Sequence, residues 1–106
     1  MGKKWSNNIY MNYGIFTQYK FWWDFYCGQI INARYPGYKT LPMICWTDER
    51  ITLQDGTDIF WINTHNLSSE KVCGMRFQCI HVIDGVTPEQ FEKIVLPYWC
   101  IPLDLN

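Results

Sequence analysis

The side chains best suited to chemistry gather in one stretch, GMRFQCIHVIDG (residues 74–85), and in the polar segment before it. Asp84 ends an apolar run and precedes a glycine. An acid at that point either handles a metal or a phosphate, or is the last polar residue before a turn. Cys79 and His81 alternate along the same run, so one strand face carries a thiol and an imidazole, with Cys73 close by in sequence. Zinc takes four ligands, usually as two closely spaced pairs, and no second pair accompanies this one. His65, in INTHN, is the best-placed histidine for proton transfer, since polar loops after apolar strands often carry sites. A nucleophilic Cys/His pair would need a local signature, and none is present. Asp84 and His65 therefore stand as the nucleotide- or metal-handling candidates. No catalytic set, cofactor or metal site is expected.

These groups need elements to hold them. FQCIHVI (77–83) is apolar on both faces, as a strand covered on both sides should be. After it, Thr87 supplies an N-cap oxygen, Pro88 suits the first helical position and Gln90 completes a capping box. Phe91, Ile94 and Val95 give that helix its apolar face, and Pro97 is expected to stop it. Upstream, RITL-QDGT-DIFWIN reads as a hairpin whose Asp55-Gly56 pair fits a tight primed turn with positive φ at both residues. Alternation in Ile51 and Leu53, against the two-sided IFWI at 59–62, makes the second strand the more central. MICW (43–46) has the length of a buried strand. Pro36-Gly37 marks a turn before it.

The longest predicted element is a helix from Ile15 to Ala33. Ile15, Tyr19, Trp22, Tyr26 and Ile30 recur at intervals of three and four, opposite Thr17, Lys20, Asp24 and Gly28. Phe16, Phe21, Trp23 and Phe25 form a second apolar set, so the helix is covered on more than one side. With 106 residues the chain holds one domain, 1–106, in which 1–13 reads as a loose arm or edge strand and 97–106 as an extended tail. The expected fold is α/β (α+β): a sheet of about four strands near 43–46, 50–54, 57–63 and 77–83, with one long aromatic-rich helix and one C-terminal helix packed on it.

Composition narrows the function. Hydrophobic residues make up 48% and aromatics 18% of the chain, too apolar for disorder and more ring area than so small a core easily hides. The net charge of −1 supplies no bulk attraction for nucleic acid or an anionic membrane. Lys3, Lys4, Lys20, Arg34 and Lys39 with nearby rings could serve a single strand, but carboxylates cancel them and no nucleic-acid motif is present. No membrane span of about 18 apolar residues occurs, and the start MGKKWSNNIYMNYG lacks the apolar core of a signal peptide. Five cysteines, an odd number without Cys-x-x-Cys, suit a reducing compartment, so the cytoplasm is expected.

ITLQDGTDIFWINTHN followed by CGMRFQCIHVIDG resembles the Walker-B half of a P-loop ATPase core, as in viral terminase large subunits and related helicases. There a hairpin, a polar loop and a Gly-x-Arg-Phe segment precede a hydrophobic strand ending in Asp-Glu. The resemblance covers about half the chain. It implies that Asp84 stands for the acid that helps hold Mg²⁺, and that Gly85 replaces the glutamate that activates water. No Gly-x-x-x-x-Gly-Lys-Ser/Thr cradle for phosphates occurs. The resemblance thus implies a degenerate nucleotide- or nucleic-acid-handling domain that needs a partner chain, and suggests a viral origin.

The remaining feature is YKFWWDFY, where Tyr19, Phe21, Trp22, Trp23, Phe25 and Tyr26 crowd one helix. Trp and Tyr dominate interface energetics. The expectation is a small non-enzymatic intracellular protein-binding module, an inhibitor or adaptor that docks a protein partner, or a second copy in a homodimer, through those rings.

Overall fold

The computed structural model describes residues 11–99. The polar arm expected at 1–13 and the tail expected at 97–106 lie largely outside that range. A single five-stranded sheet organises the chain, with strand order β2-β3-β4-β1-β5. The strands are β1 (Asn12–Thr17), β2 (Met43–Trp46), β3 (Arg50–Leu53), β4 (Asp58–Asn63) and β5 (Cys79–Val82). Strand β3 runs antiparallel to both β2 and β4, whereas β1 lies parallel to β4 on one side and to β5 on the other. The fold class agrees with the α+β expectation, and the strand count is five rather than four.

The extra strand is β1, which the helical spacing from Ile15 had absorbed. Ile15, Phe16 and Thr17 are strand residues in the middle of the sheet, all fully buried. Helix α1 begins only at Lys20 and runs to Arg34. Its inward face is Trp23, Cys27, Ile30 and Ile31, at the i, i+4, i+7, i+8 spacing of an amphipathic stripe. The expected stripe through Trp22 and Tyr26 is therefore displaced by one residue. With aromatic residues at 21, 22, 23, 25 and 26, several stripes look equally apolar, and the sheet selects one.

Period-two alternation divides the core between the sheet faces. Against α1 pack Ile15, Ile51, Leu53 and Ile59, with Trp23 stacked on Trp61 at 6.0 Å. The opposite face buries Phe16, Ile62 and Phe77 under Val72, from a 3₁₀ turn (Ser69–Val72), and Val95 from the C-terminal helical segment. That segment opens as α2 (Pro88–Gln90), loosens to a π turn over Phe91–Val95 and tightens to 3₁₀ over Leu96–Tyr98. The capping box at its start is formed in both directions: Gln90 N–H donates to Thr87 Oγ1 and Thr87 N–H donates to Gln90 Oε1. Pro97 does not end the helical path but sits within its last turn. Phe77, expected inside the strand, instead makes a lone parallel bridge to Trp99.

The β3–β4 hairpin forms where Asp-Gly placed it, with a different turn. Only Gly56 has positive φ, at +91°. Gly56 N–H donates to Leu53 O and Leu53 N–H donates to Thr57 O, so three residues close the loop with glycine in the left-handed position.

Candidate functional site

Asp84 lies at the C-terminal edge of the parallel strands, on the turn that leaves β5. Ligands of open α/β sheets favour that edge, at the point where neighbouring connections diverge. Here β1 is the diverging point, since its two parallel neighbours stand on opposite sides. The carboxylate is nonetheless engaged on both oxygens. Thr17 Oγ1 donates to Oδ2 at 2.8 Å, and the backbone N–H of Gln18 donates to Oδ1 at 2.9 Å. Thr17 Oγ1 in turn accepts from Tyr19 N–H at 3.1 Å, and Trp61 Nε1–H donates to Thr17 O at 2.8 Å. The two residues between β1 and α1 contain no glycine or proline, and α1 has no side-chain N-cap. Asp84 and Trp61 supply what the local sequence does not. A negative charge beside the start of α1 also complements the helix dipole.

Gly85 has its own reason to be glycine. Its φ is +75°, and a Cβ there would stand 2.1 Å from Thr64 Oγ1. The backbone of Gly85 presses on the turn after β4, and a glutamate could not take this position without moving it. Thr64 is 5% exposed, and its Oγ1 has no hydrogen-bond partner. His65 follows on the same 3₁₀ turn (Thr64–Asn66), exposed, with its N–H donating to Asn63 Oδ1. Thus the turns of Asp84 and His65 meet at one end of the sheet, while no hydrogen bond joins the two side chains.

Cys79 and His81 do share a strand face, as alternation predicted, and both are half-buried beneath α1. Burial pushes the Cys79 thiol up, against the pull of Arg34, and pushes His81 down. His81 is held between rings: Tyr13 stacks on it at 6.4 Å and Tyr26 tilts over it at 5.5 Å. Cys27 is buried in the core and its thiol is likewise pushed up by burial. Cys73 is exposed, and Cys27, Cys45, Cys73 and Cys79 are all free. Among the described residues, no group of three or more His, Cys, Asp or Glu is placed to hold a metal.

At the other end of the parallel strands, a second polar cluster forms that sequence reasoning missed. Arg34 Nη2 and Nε donate to Asp55 Oδ2 at 3.0 and 3.2 Å, and Nη1 donates to the Tyr13 hydroxyl at 3.3 Å. Asp55 Oδ1 accepts from Thr57 N–H at 2.9 Å. Burial alone would raise the Asp55 carboxyl, but the Thr57 bond and the Arg34 charge outweigh it and hold it below its ordinary value. The repeated Asp-Gly dipeptide, at 55–56 and 84–85, was the available signal that both aspartates stitch turns.

The six aromatic residues singled out on α1 divide. Trp23 is 1% exposed and belongs to the core, so it leaves the candidate surface. Tyr19, Phe21 and Phe25 are 47%, 60% and 50% exposed, while Trp22 and Tyr26 are half-buried beside them. Their rings touch in series. Tyr19 meets Phe21 at 5.7 Å, Phe21 meets Trp22 at 5.0 Å, Trp22 meets Phe25 at 5.8 Å, and Phe25 meets Tyr26 at 5.2 Å. Through Tyr26 the row reaches His81 on β5, the last strand of the sheet.

Comparison with family models, curated proteins and solved structures finds no match to this chain. No helix among the described residues is long and apolar enough to cross a membrane.

Proposed function

We propose that this chain is a non-enzymatic protein-binding module whose docking surface is the ring-lined flank of α1 together with the rim of β5. The observation that carries the reading is the unbroken ring series from Tyr19 to His81, with three of its members about half or more exposed. Apolar area of this kind is costly to leave in water, and contiguous patches of it mark interaction surfaces. Aromatic residues give large contact area at low entropy cost and concentrate binding energy.

The geometry of the flank favours one occupant, an extended apolar segment of a partner protein. Among the described residues β5 ends the sheet, with β1 as its one neighbouring strand. An added strand would gain backbone hydrogen bonds along that rim and lay alternate side chains against the rings. The candidates Asp84 and His65 have no part in this surface, and Asp84 acts as the clamp of the β1–α1 turn.

A display selection of extended apolar peptides against the purified protein tests the reading. Binders should shift backbone amide signals of residues 79–82 and lose affinity at least tenfold with Phe21→Ser plus Phe25→Ser. Both positions are exposed, so the double variant keeps the fold, which circular dichroism checks. Binding that survives the double variant overturns the proposal. Self-association of the wild type, abolished by the same pair, would replace the partner with a second copy.

A further inference from the structure

We infer that the sheet face opposite α1 carries a binding cleft for a small phosphomonoester with a flat ring, of mononucleotide size. The inference is independent of the docking flank, which lies on the other side of the sheet.

The cleft follows from incomplete coverage. The turn Ser69–Val72 and the C-terminal helical segment shield β1 and the inner part of β4 on this face. On β3, Ile51 and Leu53 point to α1, so Arg50 and Thr52 alternate to the uncovered side. A cavity of about 410 Å³ remains between the β2–β3 turn, the end of β4 and the Ser69–Val72 turn. That volume falls within the range of small-molecule sites.

Its chemistry is lopsided. Arg50 and Lys71 both line it, with Glu49 as the single carboxylate of the lining. Among the described residues, neither cation has a carboxylate within ion-pair distance; Arg50 reaches only Cys45 Sγ, at 3.9 Å. Elsewhere the exposed Lys20 and Lys93 each pair with an acid one helical turn away. A guanidinium fork and an ammonium match the oxygens of a phosphate dianion. Phe60 supplies an apolar ring in the same lining, half-buried and braced edge-on by Phe77 at 6.1 Å. A bare anion would leave that ring unused, and a neutral ring would leave both cations unused.

The test is titration of the full chain with adenosine 5′-monophosphate, inorganic phosphate and adenosine, followed by amide chemical shifts at low and moderate salt. The inference expects saturable shifts confined to residues 47–50, 60–63 and 71–75 with the monophosphate, and at least tenfold weaker binding of either half alone. Arg50→Gln and Lys71→Gln should each weaken the monophosphate about tenfold, while Lys93→Gln, outside the lining and already paired with Glu89, leaves it unchanged. All three positions are exposed, so the fold survives. Shifts scattered over every surface lysine, no saturation, or equal binding to the Arg50→Gln plus Lys71→Gln variant overturn the inference. Inorganic phosphate binding as tightly as the monophosphate overturns the role of the ring.

Discussion

The same dipeptide, Asp-Gly, closes a turn at each end of the parallel strands, and the two turns solve different problems. At 55–56 the chain reverses within a hairpin, and the aspartate meets a cation: Arg34 holds Oδ2 while Thr57 N–H holds Oδ1. At 84–85 the chain leaves a parallel strand, and the aspartate meets neutral donors from a segment 66 and 67 positions away. The first aspartate is bound by charge, the second by geometry. An acid at a strand end is therefore weak evidence for chemistry until its oxygens are traced. Here all four oxygens are accounted for within the fold.

Substitutions can separate the two turns. The largest difference is expected at the glycines. Gly85→Ala combines the left-handed φ with a collision against Thr64, so it should cost about 3 kcal/mol in urea unfolding. Gly56→Ala bears the φ cost, about 1 kcal/mol. Equal losses would show that the Thr64 contact does not constrain Gly85.

Next come the aspartates. Asp84→Ala strands two donors at the head of α1 and should cost about 2 kcal/mol at neutral pH. Asp55→Asn should cost about 1 kcal/mol there, because the half-open pair with Arg34 is screened by solvent. Its effect should also fade in acid. A carboxyl held below its ordinary value of 3.8 stabilises the fold above that pH, and the contribution is lost as pH falls through the lowered value. Denaturant midpoints from pH 7 to pH 2 should therefore converge for wild type and Asp55→Asn. Parallel curves would remove Arg34–Asp55 from the acid response.

The smallest effect carries the opposite sign. Thr64→Val removes an oxygen that is buried without a partner beside Gly85, and should raise stability by up to about 1 kcal/mol. A loss of stability would mean that the hydroxyl has a bonding role at this edge.

Much of the sheet was legible because its strands announce themselves. MICW, the RITL–DIFWIN pair and the run into Asp84 all appear near their expected positions, and the Thr87–Gln90 box is present in full. Strand β1 was not legible. Asn12-Tyr13-Gly14 opens it without an apolar run, and Gly14 leaves room that the Phe77 ring fills at 2.9 Å from where a Cβ would stand. Only Gln18 and Tyr19 separate it from α1, so strand and helix read as one periodic segment. The site was legible in part. Position and residue type exposed Asp84 and the rings, whereas the partners of Asp84, the burial of Trp23 and the cleft of Arg50 and Lys71 depend on pairings across the sheet.

The central place of β1 also bears on the order in which the chain can assemble. Its strand partners begin at Asp58 and Cys79, so its ladders close loops tens of residues long. Such closures are entropically slow, whereas the β3–β4 hairpin closes over three residues. On the ribosome, β1 and α1 emerge well before either parallel partner exists. Until residue 82 has been made, the rings of α1 have no completed sheet to pack on. A chain of this topology spends its synthesis with its aromatic helix waiting, and the non-local ladders of β1 are the pairings expected to slow its folding.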